Sequence, residues 1–507
     1  MRRTPLAAAL VVLLAAPAAA PAAPVHELQA DGRVVVREDR FAPAVTEPGP
    51  RAVVARAPLT GARAAAARRT VPGELRRMLL AGAIDQPTHD RWREVFEDSR
   101  LTWKRLSGRR RAELGAVIRT VQNLAASGRL TVTRSPSAFL TLARNRAWWA
   151  SGPLLGFGRR VGFAGSRLVW QSYPGQGLQI QWLGTFGKAN AFFSTGEHDD
   201  ELRELLAEAE RLAVQRAGGH AWEYLFRFDG GRPPWVSALA QGTALQAFSR
   251  AAIRLGEPRL FEVARGGLGI FRAAPPEGVR APGDHYLIYS SLPRLRVLNG
   301  FVQALNGLLD FARLANDEEG RALFAAGEAR LRAELARYDT GAWSMYSTRR
   351  ESDLGYHKLV RDFLRGLCAR LADARDRASA VQLDPSGGAA PAPAAPAFPD
   401  PAPYCDTAER FTGYLRTPPE LEVQPSTLRQ GRRGAVRFKL SKISTVTFEV
   451  RRRGALIHRI VVRLGAGRRS LPLKPDKAGP LRVRLRAVDL AGNVGRAAGV
   501  VRVAPRR

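Results

Sequence analysis

The sequence predicts a mixed α and β protein that is mainly α: a β-rich part, then an (α/α) toroid-like helical domain, then a C-terminal β-sandwich. Three observations support this fold class. Apolar residues recur at three- and four-residue steps over most of residues 74–375, which is the period of an amphipathic helix. Glycines, aromatic residues and alternating β-branched residues interrupt that period between residues 151 and 235. After residue 420, apolar and polar residues alternate in short runs, which is typical of strands.

The first 23 residues have the pattern of an export signal. Arg2 and Arg3 precede the apolar run LAAALVVLLAA, and a run of small residues follows as far as Ala23. This order is typical of a secretory signal peptide, so we expect a secreted or cell-envelope protein. The apolar run is too short to span a bilayer comfortably, and no later stretch reaches about 18 uninterrupted apolar residues. The sequence therefore predicts no transmembrane segment.

Residues 24–150 predict an arm followed by a helical region. Weak periodicity and many Ala, Pro and Arg residues in 24–73 predict an extended or poorly ordered arm. In residues 74–150, four runs have helical spacing of their apolar residues: LRRMLLAGAI, HDRWREVFEDSRLTWKRL, RRAELGAVIRTVQNLAASG and SAFLTLARNRAWWASG. We expect these helices to form a small N-terminal helical region.

Residues 151–375 predict a β-rich part followed by long helices. The run SRLVWQSYPGQGLQIQWLGTFGKANAFF predicts strands and turns within residues 151–235, with a helix from Asp199 to Ala217 after them. Residues 236–375 predict helices that pair as in a toroid or α-solenoid, with a plain helical bundle as the alternative. The predicted helices are Ser237–Leu255, Pro258–Phe271, Leu298–Ala315, Glu318–Tyr338 and Leu354–Ala374.

The C-terminal part predicts a linker and an accessory module. Pro and Ala dominate residues 376–419, which predicts a linker. Residues 420–507 contain alternating runs such as TVTFEVRRRG, and these predict a small β-sandwich. The ending AVDLAGNVG resembles the last hairpin of bacterial immunoglobulin-like or fibronectin-like modules. We expect a spacer, or a module that associates with the cell surface, rather than a catalytic unit.

Charge and cysteine content limit the partners. The formal net charge of +33 predicts affinity for polyanions, although an Arg-rich codon usage is an alternative explanation because the cations are spread over the whole chain. Export favours an acidic polysaccharide as partner over nucleic acid. Only Cys368 and Cys405 are present, which excludes a disulfide-dense scaffold. These two cysteines flank the Pro/Ala-rich stretch and either form one bridge or remain two thiols.

Tyrosines are concentrated in one stretch, from His285 to Tyr356. A phenol can stack on a sugar and move a proton, whereas packing in a core is the alternative role. Because an unperturbed phenol is a poor base at neutral pH, proton removal also requires a nearby cation that lowers its pKa. The stretch contains five of the nine tyrosines: Tyr286, Tyr289, Tyr338, Tyr346 and Tyr356.

Four segments of the chain together resemble a known family. In this order they are PPWVSALAQGTALQAFSRA, HYLIYSSLPRLRVLNGFVQALNGLLDF, YDTGAWSMYS and GYHKLVRDFLRGL. They resemble the C-terminal domain of the D-glucuronyl C5-epimerases, which convert glucuronate to iduronate in heparin-like chains. The resemblance covers roughly residues 150–375 and is strongest from Trp235 to Leu367. It implies a β-rich unit, an (α/α) toroid with a polysaccharide-binding cleft, and an isomerase activity.

Inversion at C5 of a uronate requires two proton-transfer groups on opposite faces of the ring and a cation or donor on the carboxylate. The resemblance implies that Tyr286 and Tyr356 transfer protons and that Tyr338 orients substrate or assists as an acid or base. It also implies supporting roles for Asn299, Asp339 and His357, with structural roles as the alternative. The substrate-binding residues that we expect are Tyr289, Arg294, Arg296, Asn299, Tyr346 and His357; the two arginines lie nearby in sequence and can attract a uronate carboxylate. For the two arginines, a solvated basic loop is the alternative.

The chain departs from the family at one position that matters for the chemistry. The family has Tyr-Glu-Glu-Tyr-Pro where this chain has Tyr286, Leu287, Ile288 and Tyr289. Because apolar side chains do not transfer protons, either the tyrosines suffice, another acid enters from elsewhere, or the active site has degenerated.

Three functions are therefore consistent with the sequence. The first is uronate C5-epimerisation of an acidic polysaccharide, and the second is a polysaccharide lyase that begins with the same proton abstraction. The third is a non-catalytic glycan-binding envelope protein. The sequence contains no Cys/His cluster with zinc spacing, no P-loop and no GxGxxG after a strand, so we expect neither a metal nor a cofactor.

Overall fold

The computed structural model describes residues 23–41, 69–382 and 398–506. The predicted signal peptide lies outside the described residues except at its last position, and so do the middle of the linker and residues 42–68 of the arm. The chain divides into two compact units. The first contains Met1–Val214, Tyr224–Pro234 and Arg254–Gly256, and the second contains Gln215–Glu223, Trp235–Ile253 and Glu257–Arg507.

The first unit combines helices with a five-stranded sheet whose strand order is β2-β1-β3-β4-β5. Its strands are β1 (Ala23–Leu28), β2 (Val34–Asp39), β3 (Arg160–Phe163), β4 (Trp170–Tyr173) and β5 (Gly177–Ile180). Its helices are α1 (Val71–Leu80), α2 (Gln86–Arg105), α3 (Gly108–Ala126), α4 (Ser135–Ser151), α5 (Trp182–Thr195) and α6 (Asp199–Arg211). Helix α2 begins where the sequence offers a cap, since the Asp85 side chain accepts a hydrogen bond from Thr88 N at 2.9 Å.

The first residues of the predicted arm form strands. Strands β1 and β2 form an antiparallel hairpin, and β1 also pairs in parallel with β3, from Val25 opposite Arg160 to Leu28 opposite Phe163. The runs that form these strands are too short to be recognised alone. Pairing with the edge of β3 supplies the hydrogen bonds that make them strands.

Helix α5 corrects a second prediction, because its residues were expected to form a strand. The Gln181 side chain accepts a hydrogen bond from Gly184 N at 2.8 Å and so caps the first turn. Gly196 ends the helix with φ of 72°, in the left-handed region that glycine adopts without strain. The aromatic residues of this segment suggested a strand, and local capping with burial of Phe186 produces a helix instead.

The helical part of the second unit agrees closely with the predicted helices. The helices are α7 (Ala238–Leu255), α8 (Arg259–Gly266), α9 (Gly269–Arg272), α10 (Leu298–Leu314), α11 (Glu318–Glu334), α12 (Leu354–Gln382) and α13 (Ala402–Tyr414). A 3-10 helix, Leu335–Tyr338, continues α11. Short strands lie between them: β6 (Val214–Arg216), β7 (Gly219–Ala221), β8 (Arg280–Ala281), β9 (His285–Tyr286), β10 (Met345–Ser347) and β11 (Arg350–Glu351).

Helix α10 is the buried helix of this unit, since every residue from Leu298 to Ala312 is buried. Its backbone touches that of α7 at two glycines. A Cβ added at Gly307 would lie 1.9 Å from the Gly242 carbonyl oxygen, so only glycine fits there. The close approach of α7 and α10 fixes the position of the chain that leads into α10, which carries the candidate site described below.

The predicted linker is wrong at its end, where residues 402–414 form α13. A disulfide joins Cys368 of α12 to Cys405 of α13, with a Cα–Cα distance of 5.2 Å. The bridge settles the alternative that the sequence left open for the two cysteines. It closes a loop over a sequence separation of 37 residues and ties α13 to the helical part.

Residues 421–504 form two sheets that share one hydrophobic core. The strand orders are β12-β14-β17 and β13-β19-β18-β15-β16. The strands are β12 (Leu421–Val423), β13 (Thr427–Arg429), β14 (Gly434–Leu440), β15 (Ser444–Arg452), β16 (Ala455–Leu464), β17 (Gly467–Leu473), β18 (Gly479–Asp489) and β19 (Val494–Ala504). In the described part of the whole chain, no helix has the length and apolar character needed to cross a membrane.

A buried ion pair anchors these sheets to the helical part. Lys442 Nζ lies 2.8 Å from Asp489 Oδ2, and the two side chains are 1% and 0% exposed. The same ammonium donates to the Tyr414 carbonyl oxygen at 2.8 Å. Glu351 of β11 accepts hydrogen bonds from Ile443 N at 2.9 Å and Ala466 N at 2.7 Å. The C-terminal sheets are therefore held to the end of α13 and to β11 by satisfied polar contacts.

Candidate active site

A buried cluster of titratable side chains lies where β9 meets the end of α11. His285 Nδ1 is hydrogen-bonded to Glu334 Oε1, and Arg330 Nε donates to Glu334 Oε2 at 2.9 Å. His285 is 0% and Glu334 is 3% exposed. Arg330 and Glu334 are four residues apart on α11, so they lie on the same face of the helix. We call His285, Arg330, Glu334 and Tyr338 the acid cluster.

Charges within the acid cluster determine its protonation. Burial opposes ionisation of Glu334, but the hydrogen bond from His285 and the charges of Arg330 and Arg296 together hold the pKa of Glu334 below its ordinary value. Burial lowers the pKa of His285 by more than the hydrogen bond and charge of Glu334 raise it. At neutral pH the cluster therefore contains a carboxylate and a neutral imidazole that donates from Nδ1. The acceptor nitrogen Nε2 is buried and has no hydrogen-bond partner among the described residues.

Tyr338 lies one helical turn beyond Glu334, at the end of the 3-10 helix. Its side chain is 0% exposed, and its hydroxyl has no hydrogen-bond partner among the described residues. Burial raises the pKa of Tyr338, and the negative charge of Glu334 raises it further. Tyr338 consequently keeps its proton at neutral pH, which makes it a hydrogen-bond donor and an acid rather than a base.

A cavity of about 530 Å³ has Arg296, whose charge acts on this cluster, in its wall. It is lined by two loop segments, Leu292–Arg296 and Ser347–Arg349. An isolated bridge between Val297 and Ser347 holds the two segments side by side. Three arginines line the cavity: Arg294, Arg296 and Arg349.

Arg296 connects the cavity to the acid cluster. It lines the cavity, and its positive charge acts on the pKa values of His285, Glu334 and Tyr338. Its Nη2 donates to the Pro282 carbonyl oxygen at 3.3 Å, whereas its buried Nη1 has no partner within the described chain. Arg296 therefore lines the cavity and also keeps one buried guanidinium N–H without an acceptor.

Unsatisfied polar atoms are concentrated in this part of the second unit. Buried polar atoms in proteins normally have hydrogen-bond partners, so a group of them without partners indicates a place that a ligand or water completes. Within residues 285–338 the structure leaves four such atoms: His285 Nε2, Arg296 Nη1, Asn299 Oδ1 and Tyr338 OH. Asn299 is the second residue of α10 and is 3% exposed.

Tyr346 and Tyr356 form an aromatic pair. Their ring centroids are 4.7 Å apart with an interplanar angle of 81°. The Arg350 guanidinium lies over the Tyr346 ring at 4.1 Å from its centroid. Tyr356 N donates to Asp353 Oδ1 at 2.9 Å, which fixes the first turn of α12. Tyr346 directly precedes Ser347 of the cavity wall, but neither tyrosine is among the residues that line the cavity.

The structure places Tyr286 in the helical core. Its hydroxyl donates to the Leu323 carbonyl oxygen at 2.6 Å, and its ring packs edge-on against Phe271 and Phe301. Burial raises the pKa of Tyr286. Its assignment as a proton-transfer residue stays a prediction, and these contacts favour a packing role. Tyr289 likewise packs edge-on against Trp235, with centroids 5.2 Å apart.

His357 joins separate parts of the chain. Its Nδ1 accepts a hydrogen bond from the Ser344 hydroxyl at 2.8 Å, and its Nε2 donates to the Phe411 carbonyl oxygen at 2.8 Å. Its ring stacks on Trp343 at a centroid distance of 3.8 Å. Burial lowers the pKa of His357 to about 4, so the imidazole is neutral at neutral pH. These contacts are those of a residue that positions α13 on the loop containing Ser344.

Asp339 also supports the position of α13. Its Oδ1 accepts a hydrogen bond from the Tyr414 hydroxyl at 2.9 Å, and its Oδ2 accepts one from Arg410 Nε at 3.1 Å. Both donors belong to α13. The structure therefore separates Tyr338, which belongs to the acid cluster, from the residue that follows it.

Sequence reasoning missed Glu334, Arg330 and Arg349. Arg330 and Glu334 have the spacing of an ordinary exposed ion pair on an amphipathic helix, and nothing local indicates that Glu334 is buried. The signal that could have found it is its position four residues before Tyr338, which places the carboxylate and the phenol on one face of the chain. Arg349 lies in a turn with no periodic pattern.

Comparison with known proteins supports the resemblance over part of the chain. Residues 218–374 match the family model described as D-glucuronyl C5-epimerase C-terminus, and this range contains the acid cluster. Over 133 residues the chain is 33% identical to a D-glucuronyl C5-epimerase of Caenorhabditis elegans, with 23% of this chain and 22% of that protein covered. The chain thus spans about a fifth of the length of this curated relative.

Solved structures give weaker similarities. A sugar epimerase from a ruminal bacterium is 10% identical with a TM-score of 0.34, covering 64% of this chain and 75% of that one. An unsaturated glucuronyl hydrolase from a Bacillus species is 12% identical with a TM-score of 0.26, covering 64% and 74%. TM-scores of this size do not establish a shared fold.

Proposed function

We propose that residues 218–374 form a C5-epimerase-like domain that acts on uronic-acid residues of an acidic polysaccharide outside the cytoplasm. The observation that carries this proposal is an arginine-lined cavity, one of whose arginines acts on the charges of the acid cluster. An arginine of the cavity wall, Arg296, acts electrostatically on His285, Glu334 and Tyr338. The family match over residues 218–374 agrees with a uronate as the ligand of this cavity.

The cavity offers what a uronate carboxylate requires. Arg294, Arg296 and Arg349 supply guanidinium groups, which bind carboxylates through paired hydrogen bonds. The buried Nη1 of Arg296 has no existing hydrogen bond to give up if a carboxylate reaches it. Abstraction of the C5 proton moves negative charge onto the carboxylate, so these cations would stabilise the transition state more than the ground state.

In the proposed reaction, Tyr338 is the group that returns a proton to C5. Its pKa is raised by burial and by Glu334, so it is protonated when the substrate carbanion forms. Glu334 is held in place by His285 and Arg330 and thereby keeps Tyr338 in its acid form. The C5 proton must be taken by a base on the opposite face of the ring; we assign this role to Tyr356, which packs against Tyr346 and would have to act as the phenolate.

In this proposal, Glu334 takes the place of the family acids that this chain lacks. Leu287 and Ile288, which occupy the acid positions, are buried at 0% and 2% exposure and belong to the core. We therefore propose the second of the three alternatives that the sequence left open, in which an acid enters from elsewhere. That acid is the last residue of α11, about 50 residues further along the chain than Leu287 and Ile288.

A second candidate function is non-catalytic binding of the same polysaccharide. It is favoured by the burial of Tyr338, whose ring has no exposed surface in this structure. Substrate would reach that hydroxyl only if the residues that cover it move. If they do not, the arginines bind the polymer and no proton is exchanged.

The test is deuterium incorporation at C5 of heparosan incubated with the full-length protein in heavy water. Incorporation without a rise in ultraviolet absorbance supports the epimerase. A rise in absorbance, which reports the unsaturated product of elimination, supports the lyase alternative instead. Binding of heparosan without incorporation supports the second candidate, and absence of both binding and incorporation refutes the proposal for this polymer.

A further inference from the structure

The outer face of the five-stranded C-terminal sheet is unusually basic. Along β18 the residues alternate strictly, with Leu481, Val483 and Leu485 buried in the shared core and Arg482, Arg484 and Arg486 exposed on the other side. Successive arginines are two residues apart, so their Cα atoms are about 6.8 Å apart along the strand. A strand of this pattern presents a row of three guanidinium groups to solvent.

Neighbouring strands extend the row into a patch. Arg482 lies opposite Arg451 of β15, and Arg486 lies opposite Arg496 of β19. Further arginines on the same face come from β13, β16 and β19. We call the whole set the arginine face: Arg429, Arg451, Arg459, Arg463, Arg482, Arg484, Arg486, Arg496 and Arg502.

The charge of the arginine face is largely uncompensated. Glu449 lies opposite Arg484 and forms ion pairs with Arg451 at 3.2 Å and Arg459 at 3.9 Å. No other carboxylate among the described residues forms an ion pair with this face. Like charges directly opposite each other on adjacent strands destabilise a sheet, so the Arg482–Arg451 and Arg486–Arg496 pairs cost stability. A bound polyanion would offset that cost.

Two depressions give the face a shape. One of about 720 Å³ is lined by Arg459, Arg484, Arg486 and Arg496 among others. The other, of about 400 Å³, is lined by Arg451, Arg453, Arg482 and Arg484 among others. Both are lined by Arg484, so they follow each other along the β18 row, one on each side of that residue. Each depression can take an anionic group with arginines on more than one side.

We propose that the arginine face binds an acidic polysaccharide whose carboxylates contact the β18 row. The choice of polymer rests on the proposed function, whereas binding here does not require catalysis at Tyr338. The outward residues between the arginines are small or aliphatic, such as Ala498, Val461 and Val500, and the described face carries no aromatic ring. A single-stranded nucleic acid would need aromatic platforms for its bases, so the surface fits a chain of charged sugars better.

The test compares two triple variants of the full-length protein. Arg482→Gln, Arg484→Gln and Arg486→Gln remove the β18 row. The control, Arg76→Gln, Arg105→Gln and Arg119→Gln, makes the same change in net charge at exposed positions of α1, α2 and α3. Affinity for heparosan is measured over a series of salt concentrations, and uncharged dextran serves as the blank. Heparin, an oligothymidylate and phosphatidylglycerol vesicles are measured in parallel.

The proposal predicts at least a tenfold loss of heparosan affinity in the β18 variant and less than a twofold loss in the control. The slope of log affinity against log salt should fall by about two, since each contact with a single-stranded polyanion contributes about 0.7. The β18 variant should melt no lower than wild type, because it removes like-charge pairs. If the Gln variant does not fold, heparosan binding is measured on the corresponding Arg→Lys triple variant instead.

Equal losses in the two triple variants would overturn the proposal, because they would reduce it to an effect of net charge. Tighter binding of oligothymidylate or vesicles than of heparosan would also overturn the proposal. Tighter binding of heparin than of heparosan would overturn its choice of carboxylate as the ligand group and indicate sulfate instead. The Tyr338→Phe variant separates the two proposals: it should lose C5 exchange and still bind heparosan through the arginine face.

Discussion

Replacement of Glu334 by Gln tests whether the acid cluster does more than hold the fold together. Glu334 is 3% exposed and bridges a fully buried His285 and Arg330, whose side chain is 31% exposed. Arg330 can turn to solvent, so the main loss is the charged contact with His285. Hydrogen bonds to charged groups contribute about 1.5–3 kcal/mol each, so we expect a loss of about 2–4 kcal/mol in unfolding free energy.

The chain provides a matched control on the same helix. Glu328 is also buried, accepts a hydrogen bond from Arg332 Nε at 3.0 Å four residues later, and accepts one from the Tyr404 hydroxyl at 2.6 Å. The Glu328→Gln variant should therefore lose a comparable amount of stability in urea denaturation. Because Glu328 is not part of the acid cluster, its variant should keep C5 exchange within about twofold, in contrast to a loss of at least about tenfold, or 1.4 kcal/mol of barrier, in Glu334→Gln.

The pH profile distinguishes a chemical role from a structural one. Glu334 raises the pKa of Tyr338, so the Gln variant should lower it. If Tyr338 acts as the acid, the basic limb of the exchange profile should then move to lower pH. Equal loss of exchange in the two Gln variants, with no movement of the basic limb, would refute a role for Glu334 in the chemistry.

Three further predictions concern residues around the site. Tyr286→Phe should cost about 1 kcal/mol, through loss of the hydrogen bond to Leu323 O, and should leave C5 exchange intact; loss of exchange in a folded variant would restore Tyr286 as a proton-transfer group. His357 has its pKa lowered to about 4, so its contribution to stability is complete above the unfolded pKa of about 6.5 and is lost as pH falls towards 4. About 3 kcal/mol of unfolding free energy should disappear over that range, measured by urea titration. The His357→Gln variant should show a flatter dependence of unfolding free energy on pH. Replacing Cys368 and Cys405 by Ser should cost about 2–4 kcal/mol and make α13 accessible to protease, whereas unchanged thermal unfolding would show that the bridge carries no stability.

Periodicity predicted the helices of the second unit well. The predicted range Leu298–Ala315 differs from α10 by one residue, and Ser237–Leu255 differs from α7 by one residue. The apolar spacing of these segments is produced by burial against neighbouring helices, so the pattern and the structure have the same cause. The alternating residues of β18 predicted a strand for the same reason.

Elements that depend on a distant partner could not be predicted from local pattern. Strands β1 and β2 exist because β3 offers an edge to a short run, and α5 forms from a sequence rich in aromatic residues because Gln181 and Gly196 define its ends. Both are cases in which tertiary context overrides propensity.

The site residues stay predictions. Tyr338 was expected from the resemblance and Arg296 from its position in the sequence, and the structure relates the two through the charge of Arg296, which acts on the pKa of Tyr338. Glu334 does not follow from the resemblance, because burial of a charged helical residue depends on what packs against the helix. The Tyr286 hydroxyl, in turn, is satisfied by a main-chain carbonyl that no sequence pattern indicates.

Deuterium exchange at C5 of heparosan by wild type and by Tyr338→Phe is the most direct test of the central claim. The Phe variant removes only the hydroxyl, which has no hydrogen-bond partner among the described residues, so stability should change little. We expect exchange by wild type and its loss, by at least about a hundredfold, in Tyr338→Phe, because the variant lacks the general acid. Exchange at the wild-type rate by a folded Tyr338→Phe protein would contradict the account.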